Sequence, residues 1–183
     1  KALAFYDAVG EIYDACFHIV KKYRLAAEEA GNERLATALE QVPRHGARDY
    51  YEALITVRFL SFILRIANHV HLPLGRFDQY MKPYYDISIA AGATEEELLE
   101  LTELFFISMN LDTDLYKGIQ QGDNGQSMVL GGVDRNGNNA CNGHTECDAI
   151  VMDHAVVSAV PQILANHTDA SLIHEAAIGK IAG

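Results

Sequence analysis

The sequence has few of the features that mark exported, membrane-spanning or nucleic-acid-binding proteins. It contains three cysteines, an odd number, which argues against a disulfide framework and indicates reduced thiols in a cytoplasm. Lysine and arginine number 14 against 25 acidic residues, so at a net charge of −11 we expect no basic surface for nucleic acid or an anionic membrane. No apolar run approaches the roughly 18 residues of a membrane span, because Arg58 and Arg65 interrupt the longest one. The first residues also lack the apolar core of a signal peptide, which predicts a cytoplasmic protein.

Familiar catalytic signatures are absent as well. The sequence has no Ser-His-Asp order, no phosphate-binding loop and no dinucleotide fingerprint. The spacing Asp134-x-Asn136-x-Asn138 begins like a calcium loop, but Asn139 stands where that loop needs glycine and Glu146 falls one place too late. We therefore interpret residues 134–139 as a turn carried by Asn-Gly.

What the sequence does contain is helical periodicity. Hydrophobic residues make up 49% and charged residues 21%, the balance of a soluble globular protein. Apolar spacing and helix-end signals predict helices over 2–30, 33–41, 48–66, 76–91 and onward from the capping box Thr94–Glu97. The 48–66 helix is apolar nearly all round, which predicts that it is buried.

The last third of the chain is predicted to contain strands as well as helices. A short buried strand is predicted over 126–130, a second strand over 161–166, and helices over 145–158 and from Thr168. The predicted fold class is therefore α/β and rich in helix, with a helical part over 1–112 and a strand-turn-helix part over 113–183.

Two stretches carry more chemistry than an ordinary core. Residues 75–85 read Gly-Arg-Phe-Asp-Gln-Tyr-Met-Lys-Pro-Tyr-Tyr, and residues 125–134 read Gly-Gln-Ser-Met-Val-Leu-Gly-Gly-Val-Asp. With the Val-Pro-Arg-His-Gly phrase that begins at Val42, they resemble the middle of the glycyl radical enzymes, the pyruvate formate-lyase superfamily of lyases, dehydratases and formate acetyltransferases. Arg-Phe-Asp-Gln-Tyr favours the lyase/dehydratase branch. The resemblance covers nearly the whole chain and is strongest from 42 to 142.

The resemblance implies a fold and a set of site residues. Family members form a barrel of two antiparallel half-barrels wrapped in helices, of which residues 1–183 would be a single partial domain. His71, where the branch usually has a serine, Gln126 and Met128 are expected to line the substrate. Structural roles are expected for Gly75, Arg76, Asp78, Gln79, Tyr80, Gly131, Gly132, Asp134 and Asn142.

The family's catalytic pair has no counterpart in this sequence. Cys141 and Cys147 do not match the hydrogen-abstracting cysteine, and Gly179 and Gly183 lack the residues that flank the radical glycine. We therefore expect no catalytic residue, metal or cofactor in this chain, which alone would be inactive. The resemblance implies radical cleavage or elimination (C–C, C–O or C–N) of a small polar substrate in an anaerobic cytoplasm. The implied partners are a radical-SAM activating enzyme, which installs the protein glycyl radical, and the rest of the enzyme or a homo-oligomer.

Three alternatives stay open at this stage. The chain could be a non-catalytic family relative that acts as a structural or binding module. It could be a small zinc protein using Cys141, His144 and Cys147, although a fourth ligand at His154 lies about 10 Å from Cys147 along a helix. Finally, Arg76 and Asp78 could line a polar pocket with nearby tyrosines or form a buried ion pair that ties their helix to its neighbours.

Overall fold

The computed structural model describes residues 2–67, 73–110 and 128–139. These residues divide between two compact units, one made of residues 2–46 and the other of the described residues from Ala47 onward. The described helices are α1 (Ala2–Glu29), α2 (Glu33–Gln41), α3 (Tyr50–Ile66), α4 (Phe77–Ala90) and α5 (Glu95–Asn110). None of these helices is long and apolar enough to cross a membrane.

The first unit is a pair of helices, α1 and α2, joined by a tight turn. Gly31 adopts a left-handed φ of 72°, and the amide of Asn32 donates to the carbonyl of Ala27 at 2.8 Å. This is the hydrogen-bond pattern that closes a helix with a left-handed glycine. Asn32 then caps α2 by accepting from the amide of Leu35 at 3.0 Å. The chain therefore reverses within a few residues.

The second unit contains α3, α4 and α5, and side-chain caps define where α3 and α5 begin. Asp49 accepts from the amide of Glu52 at 2.8 Å, and Glu52 reaches back to the amide of Arg48 at 2.7 Å. At α5, the amide of Thr94 donates to Glu97 at 2.8 Å and the amide of Glu97 donates to Thr94 at 3.2 Å. This reciprocal pair is the capping box expected from the sequence.

Aromatic residues form the core of the second unit. Phe77 is fully buried and stacks on Phe105 with 5.3 Å between ring centroids. Tyr50, also fully buried, connects three helices: its amide donates to Ser88 Oγ at 3.0 Å and its hydroxyl lies 2.7 Å from Thr102 Oγ1. Buried polar groups are therefore paired where the helices meet, which fixes how they pack.

The helical part of the predicted fold agrees with the structure, with helix boundaries within two residues where both ends were predicted. The expectation that α3 is buried agrees with its first half, whereas Leu60, Leu64 and Ile66 in its second half are 51%, 40% and 62% exposed in this chain. Only its first half meets the core shared with α4 and α5.

The predicted strand at 126–130 is only partly within the described residues. There Met128 forms a single parallel bridge with Gly75, and the described residues contain no named strand. The elements predicted after residue 140 lie outside the described residues.

Candidate functional site

The two motif stretches of the sequence meet in the second unit, where they form what we call the clamp. It consists of residues 75–79, at the start of α4, and residues 128–134. Gly75, with a left-handed φ of 64°, pairs in parallel with Met128, and its carbonyl accepts from the amide of Val129 at 2.8 Å. Gly75 thus joins the two stretches of the clamp through their backbones.

The strongest contacts of the clamp are made to Gly131. Its amide donates to Asp78 Oδ2 at 2.7 Å, and its carbonyl accepts from Gln79 Nε2 at 3.0 Å. Asp78 is fully buried and lies in the first turn of α4, where the helix dipole stabilises a carboxylate. The side chains of Asp78 and Gln79 therefore bind the amide and the carbonyl of Gly131, and the bond to Asp78 is charge-assisted.

Arg76 makes a third, more exposed contact. Its Nη1 donates to the carbonyl of Val133 at 3.1 Å, and the side chain lies at the surface. The suggested buried ion pair of Arg76 with Asp78 is therefore wrong, since each residue contacts residues 128–134 separately. Tyr80 is 40% exposed and packs edge-on against Phe77, whereas Tyr85 is buried in the helical core. These tyrosines are distributed between surface and core rather than gathered in one polar pocket.

Asp134 organises the turn that follows the clamp. Its Oδ1 accepts from the amide of Asn136 at 2.8 Å and from that of Asn138 at 2.9 Å, and an antiparallel bridge joins Val133 to Asn139. The hydrogen bonds from Asn138, together with those from Asn136, hold the pKa of Asp134 below its ordinary value. The Asn-Gly turn expected from the sequence is confirmed, with Gly137 at a φ of 82°.

Of the residues expected to line the substrate, only Met128 is among the described residues. Met128 is half-buried and packs against the helical core of the second unit. Gly132 is exposed with a φ of 80°. His71, Gln126 and Asn142 lie outside the described residues, as do Cys141, His144 and Cys147.

The described residues contain a single cysteine and no cluster of possible metal ligands. Their single cysteine, Cys16, is half-buried on α1, in the unit that does not contain the clamp. Among the described ranges no group of three or more His, Cys, Asp or Glu side chains could hold a metal ion.

Two polar features were missed from the sequence. Glu52 is 3% exposed, and its carboxylate accepts from Arg48 Nε at 2.9 Å. This hydrogen bond with Glu52 raises the pKa of Arg48. The spacing Asp49-x-x-Glu52 was the available signal, since it is a capping pattern. The Tyr50–Thr102 contact had no signal, because its partners stand 52 positions apart.

Comparison with known proteins identifies the family of this chain. The profile of the pyruvate formate lyase-like family matches residues 1–155. The chain is 31% identical to the (2S)-3-sulfopropanediol dehydratase of Klebsiella oxytoca over 157 residues, which are 75% of this chain and 19% of that enzyme. It is 33% identical to the isethionate sulfite-lyase of Bilophila wadsworthia over 113 residues, 60% of this chain and 13% of the relative.

A solved structure on 1,2-propanediol dehydration in Roseburia inulinivorans has the same fold over 78% of this chain and 20% of its own. Its TM-score is 0.67 and its sequence identity 22%. The chain thus matches only 13% to 20% of the length of these relatives. From the profile match and these relatives, the chain belongs to the pyruvate formate lyase-like family, in the lyase/dehydratase branch of the glycyl radical enzymes.

Proposed function

We propose that this chain is a central segment of a glycyl radical enzyme that eliminates a leaving group from a small polar substrate. The relatives support the reaction class, since they are named as a dehydratase and a sulfite-lyase. In this proposal the chain contributes walls and positioning. The cysteine and glycine that exchange the radical belong to the part of the enzyme that it does not span.

The observation that carries the proposal is the clamp. Asp78 and Gln79 fix both peptide groups of Gly131, and Gly75 fixes Val129, so the path of residues 128–131 is set at several points. A substrate wall has to be held this firmly, because an error of about 1 Å in placement can cost roughly a hundredfold in rate. Met128, together with His71 and Gln126, is proposed to face the substrate.

The substrate proposed is a small molecule with a hydroxyl or sulfonate leaving group beside a carbon that carries an abstractable hydrogen. This class includes the substrates in the relatives' names, (2S)-3-sulfopropanediol and isethionate. The radical-SAM activating enzyme is the proposed protein partner. Family chemistry of this type is sensitive to oxygen, so we propose an anaerobic cytoplasm as its setting.

The test is to purify the protein as its gene encodes it, without oxygen, and to treat it with a radical-SAM activating enzyme and S-adenosylmethionine. We expect a glycyl radical signal by electron paramagnetic resonance, followed by carbonyl product or sulfite from (2S)-3-sulfopropanediol, isethionate or 1,2-propanediol. Omission of the activating enzyme is the control. A mature protein with a mass near 20.2 kDa that forms no radical would refute the proposal and favour a non-catalytic relative.

A further inference from the structure

One column of residues on α1 is buried at one end and exposed at the other. Tyr6, Tyr13, Val20 and Ala27 are spaced by seven, so they lie on the same side of the helix. Val20 and Ala27 are 6% and 5% exposed, whereas Tyr6 and Tyr13 are 69% and 59% exposed. The burial changes along the column although its apolar character does not.

The reason for the change is the length of α2. Its nine residues span only about 13 Å, and it packs beside the second half of α1. Arg24 binds Glu40 at 2.8 Å, and the Arg44 guanidinium lies 5.2 Å from the Phe17 ring centroid. The contacts from the end of α2 thus stop near Phe17, and no described residue buries the large side chains before it.

The exposed part of this face is large. Besides Tyr6 and Tyr13, it includes Leu3, Phe5 and Ile12, which are 80%, 65% and 62% exposed. We call these five residues the seam. An apolar face of several helical turns, continuous with one that already packs against a helix, is typical of a surface that another helix covers.

The acidic residues beside the seam indicate which charge the covering helix carries. Asp7, Glu11 and Asp14, spaced by four and three residues, lie together on one side of α1, and Asp7 and Asp14 are nearer to the seam than Glu11. A second copy of the chain would bring these carboxylates together, and each copy has a net charge of −11. Lysine or arginine on the partner would instead pair with Asp7 and Asp14, as flanking charges do in helix pairs.

We propose that the seam binds a helix with an apolar face and a basic edge, supplied by the part of the enzyme that this chain does not span. The relatives leave ample length for it, since the chain matches only 19% of the dehydratase. The proposal rests on the proposed function only in assuming that this remainder accompanies the chain. It assigns a role to α1 that is separate from the clamp.

The test places a photo-cross-linking residue, p-benzoylphenylalanine, at Tyr6 in the full-length protein and, as a matched control, at Glu11. Mass spectrometry of digests identifies the linked peptide, and a mixture of isotopically light and heavy protein separates links within one molecule from links between two. We expect Tyr6 to link within one molecule to a helical peptide beyond the 183 residues that contains lysine or arginine, and Glu11 not to do so.

Several results would overturn the proposal. These are a link from Tyr6 between light and heavy copies, a link to residues 140–183, equal labelling from both positions, no link at all, or a mature protein of only 183 residues. The readout needs neither radical nor substrate, so a linked but inactive protein would contradict only the proposed function. An active enzyme without the link would contradict only the seam.

A charge variant tests the basic edge separately. With the cross-linker at Tyr13, we expect Asp7→Lys and Asp14→Lys each to lower the yield about two- to fivefold, as for removal of one exposed ion pair. Glu29→Lys, the same charge change at an exposed position at the far end of α1, should leave the yield unchanged. Equal yields for all three variants would refute the assignment of a basic partner.

Discussion

Replacement of Asp78 by alanine is the sharpest test of the clamp. The variant removes the carboxylate that accepts from the amide of Gly131 at 2.7 Å in a fully buried position. A hydrogen bond to a charged group contributes about 1.5–3 kcal/mol, and a buried amide left without a partner adds a penalty of about 1–3 kcal/mol. Because these terms overlap, we expect a loss of about 2–4 kcal/mol in the stability of the clamp.

Hydrogen exchange followed by mass spectrometry measures this loss where it occurs. At about 1.4 kcal/mol per factor of ten, protection of the peptide containing Gly131 should fall roughly 30- to 700-fold in Asp78→Ala. Asp78→Asn keeps an acceptor oxygen and should lose only about 1 kcal/mol.

The matched control for this change is Asp86→Asn on the same helix. Asp86 pairs with Lys82 at 2.6 Å, but its side chain is 57% exposed, so the variant should change stability by less than about 1 kcal/mol. Unchanged protection at Gly131 in Asp78→Ala, or an equal effect of Asp86→Asn, would refute the reasoning.

Three further predictions concern packing, backbone strain and pH. Phe77→Ala should lower the free energy of unfolding by about 3–5 kcal/mol in urea titrations, because it empties a fully buried aromatic site; a loss below 1 kcal/mol would contradict the packing. Gly75→Ala should cost about 1–2 kcal/mol from its left-handed φ alone, since an added Cβ meets nothing within 4 Å. Gly46→Ala, equally unobstructed and without a left-handed φ, is its control and should lie within about 0.5 kcal/mol of the parent. The turn at Asp134 should be fully stabilised above the ordinary pKa of 3.8, and it should lose that stability as pH falls through the lower pKa of Asp134 in the folded protein. Hydrogen-exchange rates of the turn measure this loss. Rates that show no loss, or that show it equally in Asp134→Asn, would refute the role of the Asp134 carboxylate in the turn.

Local signals explain why the helices could be predicted. The capping box at Thr94 and the left-handed glycine at Gly31 act within a few residues, so the sequence contains both the signal and its partner. Periodicity also identified α3 as apolar. It could not show which elements cover that helix, so the sequence did not identify Leu60 and Ile66 as the residues left exposed.

The contacts within the clamp, in contrast to the helices, could not be predicted from the sequence. The sequence singled out both of its stretches, but the partners Asp78 and Gly131 stand 53 positions apart, and no local rule pairs them. The same holds for Tyr50 and Thr102. Met128, which pairs with Gly75, packs against the core formed by α3, α4 and α5, so this pairing belongs to the tertiary structure and not to a local sequence pattern.

The carboxylate of Asp78 also determines what the amide of Gly131 can bind. Glycine-rich turns often hold phosphate, because their amides are free to point at an anion. Here the amide of Gly131 is already bound by a carboxylate from the same chain, which competes at an effective concentration on the order of millimolar or more. A second anion would also be repelled by that charge. We therefore expect that the amide of Gly131 is not available to an anionic group of the proposed substrate.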